Sequence, residues 1–154
     1  MKLVGGMWLP DADAHFAETF ATDGHYHQEQ LIVLAMPYVR DTKLAFDIGA
    51  HVGYMTKRML QHFDTVIAWE PVPENYACLV KNVDLLRCFA RPWALGDRTV
   101  SVGLTNPKPT NSGAWQIVDG PGQALMTTMD SGGSDLEFPD LVKIDAQGSE
   151  MSVL

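Results

Sequence analysis

The chain of 154 residues has the length of one ordinary domain, because domains run to roughly 100 to 200 residues. Apolar residues make up 46% of the sequence and charged residues 19%, a globular balance that excludes collagen-like, coiled-coil and largely disordered chains. Eleven Lys and Arg stand against nineteen Asp and Glu, and the formal charge of -8 disfavours nucleic acid and anionic membrane surfaces as partners.

Two short helices are expected in the first part of the chain. The apolar residues of 13–20 have helical spacing, and Asp11 or Asp13 precedes them as an N-cap. A second apolar face starts near Gln28 and ends at Pro37, which cannot continue a helix. Between these helices, His25-Tyr26-His27 supplies two histidines without a third ligand, which favours a polar loop over a metal site.

From residue 44 the pattern changes to strands that alternate with helices, which is typical of a parallel sheet covered by helices. The runs LAFDI (44–48) and TVIAW (65–69) predict buried strands, and amphipathic stretches after each predict helices. A third strand is expected near 88–95 and a fourth, LVKI, at 141–144, followed by a helix that opens at about Gly148.

A turn-rich segment separates the third of these strands from the fourth. Pro and Gly recur between Gly96 and Pro139, and the short β segments 99–104 and 114–118 predict a hairpin-like insertion. Residues 1–43 are therefore assigned to an N-terminal helical cap segment, and residues 44–154 to an α/β core.

The residues after the strands are the candidate functional residues, because open α/β sheets bind ligands at the carboxyl ends of their strands. Gly49 and Gly53 permit a tight turn after the first strand. Glu70 follows Gly49 by 21 residues and ends the next strand, where a carboxylate can accept both hydroxyls of a ribose. Pro71 holds Glu70 in an extended conformation.

Two ligand classes share such an acidic ribose contact, and the turn distinguishes them. A dinucleotide site needs G-x-G-x-x-G, whereas position 51 is His51 and no third glycine is in register. A nucleoside with a positively charged end remains, and Asp47 is expected near the ammonium of a methionine moiety. The alternative is an NAD(P)-binding oxidoreductase domain.

These residues resemble the S-adenosylmethionine-dependent methyltransferases of the FkbM type. The matching segments are collinear over roughly the last 110 residues. They are FDIGAHVGYMT (46–56), VIAWEPVPENYACLVKNV (66–83), ALGD (94–97), Asn111-Ser112-Gly113, TTMDS (127–131) and DLVKIDAQGSEMSVL (140–154). The sequence departs from the family pattern at two places. After Thr128-Met129-Asp130, the residues Ser131-Gly132-Gly133-Ser134 replace the usual helical continuation. At position 147 the family commonly has Glu, whereas this sequence has Gln147.

The resemblance implies an α/β fold with the Rossmann-like class I methyltransferase sheet, mostly parallel with helices on both faces. It implies S-adenosyl-L-methionine as cofactor and methyl transfer to a hydroxyl oxygen of a small molecule or sugar. The cofactor-binding residues it implies are Asp47, Gly49, Ala50, His51, Gly53, Glu70, Pro71, Asn75, Ala94, Leu95 and Asp97.

Asp145 is the candidate general base, because it follows the strand that faces the reactive methyl group in this fold. A carboxylate that only holds the loop is the alternative role. Glu150 is expected to interact with the helix dipole. No metal requirement is predicted, since no three-ligand cluster is visible.

A class I sheet has seven strands, and only about four principal ones can be placed here. We therefore expect a sheet that is incomplete after its fourth strand, a chain truncated at its C-terminus, and a homodimer paired through the exposed edge. A cofactor-binding remnant or interaction module without catalysis is the competing function.

The remaining expectations concern the compartment. Cys78 and Cys88 have neither a disulfide framework nor a zinc-ligand spacing, which favours reduced thiols. The start of the chain does not fit a secretory signal, and no window approaches the roughly 18 apolar residues that cross a bilayer. A cytoplasmic protein without a membrane partner is expected.

Overall fold

The computed structural model describes residues 1–22, 29–120, 122–132 and 138–153. The predicted polar loop at His25-Tyr26-His27 and residues Gly133-Ser134 lie outside these ranges. Among the described helices, none combines the length and the apolar character that crossing a bilayer requires.

The chain opens with a β-hairpin that the prediction of a purely helical N-terminal segment did not contain. Strands β1 (Lys2–Val4) and β2 (Met7–Leu9) pair antiparallel. Gly5 and Gly6 connect them with φ angles of 56° and 78°, the left-handed conformation that a two-residue turn needs. The side chain of Asn82 binds both the N–H and the C=O of Trp8 at 2.8 and 2.9 Å, which fixes the hairpin to the core.

The two predicted N-terminal helices are present as α1 (His15–Thr22) and α2 (Glu29–Ala35), the second followed by a 3-10 turn at Met36–Tyr38. Asp13 caps α1, since its Oδ1 accepts the N–H of Phe16 at 2.7 Å. Phe20 packs on Tyr54 with ring centroids 5.1 Å apart, so α1 lies against the core.

The predicted strand and helix alternation follows. Its elements are β3 (Leu44–Ile48), α3 (Tyr54–Met59), β4 (Thr65–Trp69), α4 (Pro73–Asn82) and β5 (Cys88–Arg91). The bounds of β3 and β4 agree with those predicted. The strand expected near 88–95 is divided in two, because Pro92 has no N–H for the ladder.

The turn-rich segment forms a second small sheet. Its elements are β6 (Ala94–Leu95), β7 (Val100–Thr105), a 3-10 turn at Ser112–Ala114, β8 (Gln116–Val118), β9 (Ala124–Thr127) and α5 (Met129–Gly132). β7 and β8 pair antiparallel, which confirms the predicted hairpin-like insertion. The short helix α5 includes Ser131 and Gly132, two of the four residues that depart from the family pattern, and β9 was not predicted.

The last described elements are β10 (Leu141–Ile144) and α6 (Glu150–Val153). The main sheet has the order β10-β3-β4-β5, and every neighbouring pair is parallel. The protein is thus a mixed α/β structure with a four-stranded parallel sheet. Within the described residues β10 is an edge strand, as predicted, and Val142 is 40% exposed there.

Both faces of this sheet are covered. One face packs on α1 to α4 and the hairpin, through the buried residues Ala45, Val66, Ala68, Cys88, Met59 and Leu79. The other face packs on β6, α5 and α6, through Phe46, Ile67, Trp69, Leu95, Met129 and Val153. Helices therefore lie on both sides, as the α/β pattern predicts.

Candidate functional site

A cavity lies at the carboxyl ends of the parallel strands. The chain steps from β3 to β4 and β5 in one direction, whereas β10 returns to the other side of β3. Ligands of open α/β sheets bind where the strand order reverses in this way. The cavity of about 260 Å³ is bordered by the segments after β3, β4 and β10 and by residues 111–117. Its size is near the lower end of the roughly 300 to 1,000 Å³ of small-molecule sites.

The turn after β3 requires its glycines. Gly49 has φ of 75°, and a Cβ there would overlap the carbonyl oxygen of Asp145. Gly53 has φ of 85°, and a Cβ there would meet Leu79. Gly49 therefore allows the turn after β3 to lie against the backbone of Asp145, which follows β10. Gly53 packs against α4 and does not border the cavity.

Glu70 lies at the end of β4, where its carboxylate is 5% exposed and borders the cavity. Oε1 accepts the N–H of Val72 at 2.8 Å and Oε2 accepts the N–H of His51 at 2.8 Å. Burial raises the pKa of this carboxyl to about 7, partly offset by those two N–H donors. A hydrogen bond from the Asn75 side chain to this carboxylate also lowers its pKa.

Asn75 stands beside Glu70 at the start of α4. Its Nδ2 donates to the carbonyl oxygen of Ser112 at 2.9 Å. Its Oδ1 is buried and has no hydrogen-bond donor among the described residues. Buried acceptors are normally satisfied, so this atom at the cavity wall indicates a ligand donor. Glu70 and Asn75 together offer acceptors to a group with neighbouring hydroxyls.

Asp47 does not face the cavity. Its side chain is fully buried; Oδ2 accepts the Thr56 hydroxyl at 2.6 Å, and Oδ1 forms an ion pair with Lys143 at 2.8 Å. Lys143 also donates to the carbonyl oxygen of Gly49 at 2.8 Å. The structure thus does not place Asp47 at the cavity, where contact with a ligand ammonium was predicted, whereas its partner Lys143 borders the cavity.

A buried network joins the N-terminal segment to the turn after β3. The Ser112 hydroxyl and N–H both donate to Oδ2 of Asp13, and Nε2 of His51 lies 2.6 Å from the Ser112 Oγ. Because the hydroxyl gives its single proton to Asp13, Nε2 of His51 is the donor in that contact. Burial lowers the pKa of His51 to about 4, so the imidazole is neutral.

Part of the cavity wall is apolar. Ala94 and Leu95, which form β6, border it, as do Pro71 and Ala50. Asp97 follows β6 but is exposed and does not border the cavity, so the structure gives no support to its assignment as a cofactor-binding residue.

Asp145 borders the cavity directly after β10. Its Oδ1 accepts the side-chain N–H of Gln147 at 2.8 Å. The carboxylate of Glu150 accepts the N–H groups of Ala146 and Gly148 at 3.0 to 3.1 Å, which lowers its pKa. Glu150 thus stabilises the turn before α6, and this turn directly follows Asp145 at the cavity.

Most of the predicted site residues border this one cavity, with Asp47, Gly53 and Asp97 as the exceptions. Sequence reasoning missed Asp13 and Lys143 as parts of the site. Asp13 was identified only as a helix cap, and Lys143 only as part of a strand. His51 was predicted as a cofactor-binding residue, and the structure adds a contact of its imidazole with Ser112.

No family model matches the sequence, and neither a curated protein nor a solved structure matches it. Over the described part of the chain, no group of three His, Cys, Asp or Glu residues has the arrangement of a metal site.

Proposed function

We propose that this chain is an S-adenosylmethionine-dependent methyltransferase that methylates a hydroxyl oxygen of a small molecule or sugar. The observation that carries the proposal is the pair of acceptors at the end of β4. The Glu70 carboxylate borders the cavity, and the buried Oδ1 of Asn75 beside it has no donor among the described residues. A ribose supplies two neighbouring hydroxyl donors to such a pair.

The shape of the cavity supports a nucleoside that carries an extended tail. Along the main sheet, Lys143 lies on the edge strand β10 and Glu70 follows β4, two strands away, while the apolar residues Ala94 and Leu95 of β6 in the second sheet also border the cavity. Strand spacings of about 4.8 Å make the distance from β10 to β5 roughly 14 Å. An adenine, a ribose and an amino-acid tail in that order fit this sequence of surfaces.

The turn after β3 argues against a dinucleotide. The N–H groups of Gly49 and Ala50 both donate to the carbonyl oxygen of Trp69, and that of His51 donates to Glu70. A pyrophosphate needs free N–H groups at such a turn. The FkbM resemblance is a second, separate support for S-adenosylmethionine over NAD(P).

The bound cofactor supplies an electrophilic methyl group on a sulfonium. The protein then has to hold the acceptor hydroxyl in line and remove its proton. Asp145 borders the cavity beside Lys143, and Gln147 fixes one of its oxygens. In the proposed reaction the other Asp145 oxygen takes the hydroxyl proton as the acceptor oxygen forms its bond to the methyl carbon and the carbon-sulfur bond breaks.

The binding test is calorimetric titration with S-adenosylhomocysteine. We expect wild type to bind and Glu70→Ala to bind at least about tenfold more weakly, because two charged hydrogen bonds are lost. Glu74→Ala is the matched control, since Glu74 is exposed in the first turn of α4 and does not border the cavity. Equal affinities in all three proteins would contradict the ribose assignment, and tight binding of NADH instead would favour the oxidoreductase.

The catalytic test uses Asp145→Asn with a panel of sugars and small alcohols and a labelled methyl donor. We expect unchanged affinity for S-adenosylhomocysteine and a transfer rate lowered about 100-fold or more. Asp97→Asn, which changes an exposed carboxylate outside the cavity, should keep the wild-type rate. Full turnover by Asp145→Asn would assign the Asp145 carboxylate to holding the loop.

A further inference from the structure

Lys143 is placed by the sheet itself. It is the register partner of Asp47 on the neighbouring strand, so both side chains lie on the same face. Its ammonium has three N–H donors; one donates to the Gly49 carbonyl oxygen at 2.8 Å, and the nitrogen also forms an ion pair with Oδ1 of Asp47 at 2.8 Å that does not have hydrogen-bond geometry. The side chain is 19% exposed and borders the cavity, so an N–H donor is available to a ligand.

The ion pair leaves the cation as the group that meets a ligand. Asp47 is fully buried and does not border the cavity; its Oδ2 accepts the Thr56 hydroxyl and its Oδ1 pairs with Lys143. At this end of the cavity a ligand thus meets the Lys143 ammonium, with its counter-ion behind it, and the Asp145 carboxylate, one of whose oxygens binds Gln147. The ammonium is the group here that attracts an anionic part of a ligand.

The backbone of the turn after β3 offers few alternative donors to an anionic ligand group. An anion at a turn of this kind often binds to free N–H groups. Here the N–H groups of Gly49 and Ala50 are taken by Trp69, and that of His51 is taken by Glu70. A carboxylate at the junction of β3 and β10 therefore finds its donor in the Lys143 side chain.

We propose that Lys143 binds the carboxylate of the amino-acid tail of the nucleoside ligand, and so selects nucleosides that carry this tail. The inference rests on the proposed function, because it assigns one residue to one end of the proposed ligand. The sequence predicted that Asp47 contacts the ammonium of this tail. The proposal instead assigns Lys143 to the carboxylate of the tail.

The test compares two ligands that differ in this tail. S-Adenosylhomocysteine carries it, and 5′-methylthioadenosine has the same adenosine and sulfur without it. For wild type and Lys143→Met, both affinities are measured by calorimetry. We expect the variant to lose about tenfold or more in affinity for S-adenosylhomocysteine and less than about twofold for 5′-methylthioadenosine. Lys108→Met is the matched control, because Lys108 also borders the cavity but is exposed.

Lys143→Met leaves a buried carboxylate without its partner, which can prevent folding. The double variant Asp47→Asn/Lys143→Met removes both charges together and is measured in the same way. A loss of affinity that is equal for the two ligands, or absent for both, would overturn the assignment. An equal loss in Lys108→Met would do so as well. Wild type that binds neither ligand would instead contradict the proposed function.

Discussion

Glu70→Gln tests the state of the carboxylate on which the proposed ribose contact depends. The substitution keeps the shape of the side chain and removes its charge. Glu70 is 5% exposed, and burial raises its pKa from the ordinary 4.5 to about 7. The folded state therefore binds more protons than the unfolded state between these two values, and wild type loses stability as the pH rises through that window.

The magnitude follows from the size of the shift. A difference of about 2.5 pKa units corresponds to roughly 3 kcal/mol, and about 2 kcal/mol of this falls between pH 5.5 and pH 8. Gln offers one acceptor in place of two, so one of the N–H groups of His51 and Val72 loses its partner at every pH. That cost is a constant offset, and the pH dependence isolates the charge.

The assay is urea unfolding of both proteins at several pH values from 5.5 to 8. We expect the free energy of unfolding of Glu70→Gln, relative to wild type, to increase by about 2 kcal/mol across this range. The neutral buried His51 has the opposite pH dependence, since its pKa is lowered to about 4, but it is common to both proteins and cancels in the difference. If the difference between the two free energies of unfolding does not change with pH, the raised pKa of the buried Glu70 carboxyl is refuted.

Three further predictions concern the supports of the site. Ser112→Ala should lower the free energy of unfolding by about 1 to 3 kcal/mol in chemical denaturation, because His51 and Asp13 lose the hydroxyl between them; no change would contradict the network. Gly49→Ala should lower the free energy of unfolding by more than about 2 kcal/mol, because the new Cβ would overlap the Asp145 carbonyl oxygen. Gly6→Ala, at a φ of 78° with open space around it, should lower it by about 1 kcal/mol, and equal losses would contradict the close approach of Gly49 to Asp145. If β10 pairs with a second copy, Val142→Lys should shift light-scattering masses from dimer towards monomer, and a monomeric wild type would exclude that pairing.

The main sheet was readable from the sequence because its strands are short apolar runs with clear ends. β3 and β4 match their predicted bounds, and the Glu-Pro pair after β4 stops the strand where the pattern indicates. The carboxyl ends of parallel strands lie at the same edge of a sheet, so residues that follow different strands are expected close together. Glu70, Gly49 and Asp145 accordingly border one cavity.

The parts that were missed depend on short elements or on distant pairs. The hairpin at the N-terminus has strands of three residues, although Gly5-Gly6 between two apolar triplets is a turn signal that was available. The contact of Asp13 with Ser112 joins residues 99 positions apart, and the pairing of Lys143 with Asp47 follows from strand register. Neither appears as a local pattern, so a single sequence does not contain a signal for it.

The most direct measurement of the central claim is a crystal structure of the protein with S-adenosylhomocysteine. We expect the two ribose hydroxyls within hydrogen-bond distance of the Glu70 carboxylate and the Asn75 Oδ1, with the adenine against Ala94 and Leu95. A ligand that lies elsewhere, or one whose ribose leaves the Asn75 Oδ1 without a donor, would contradict it.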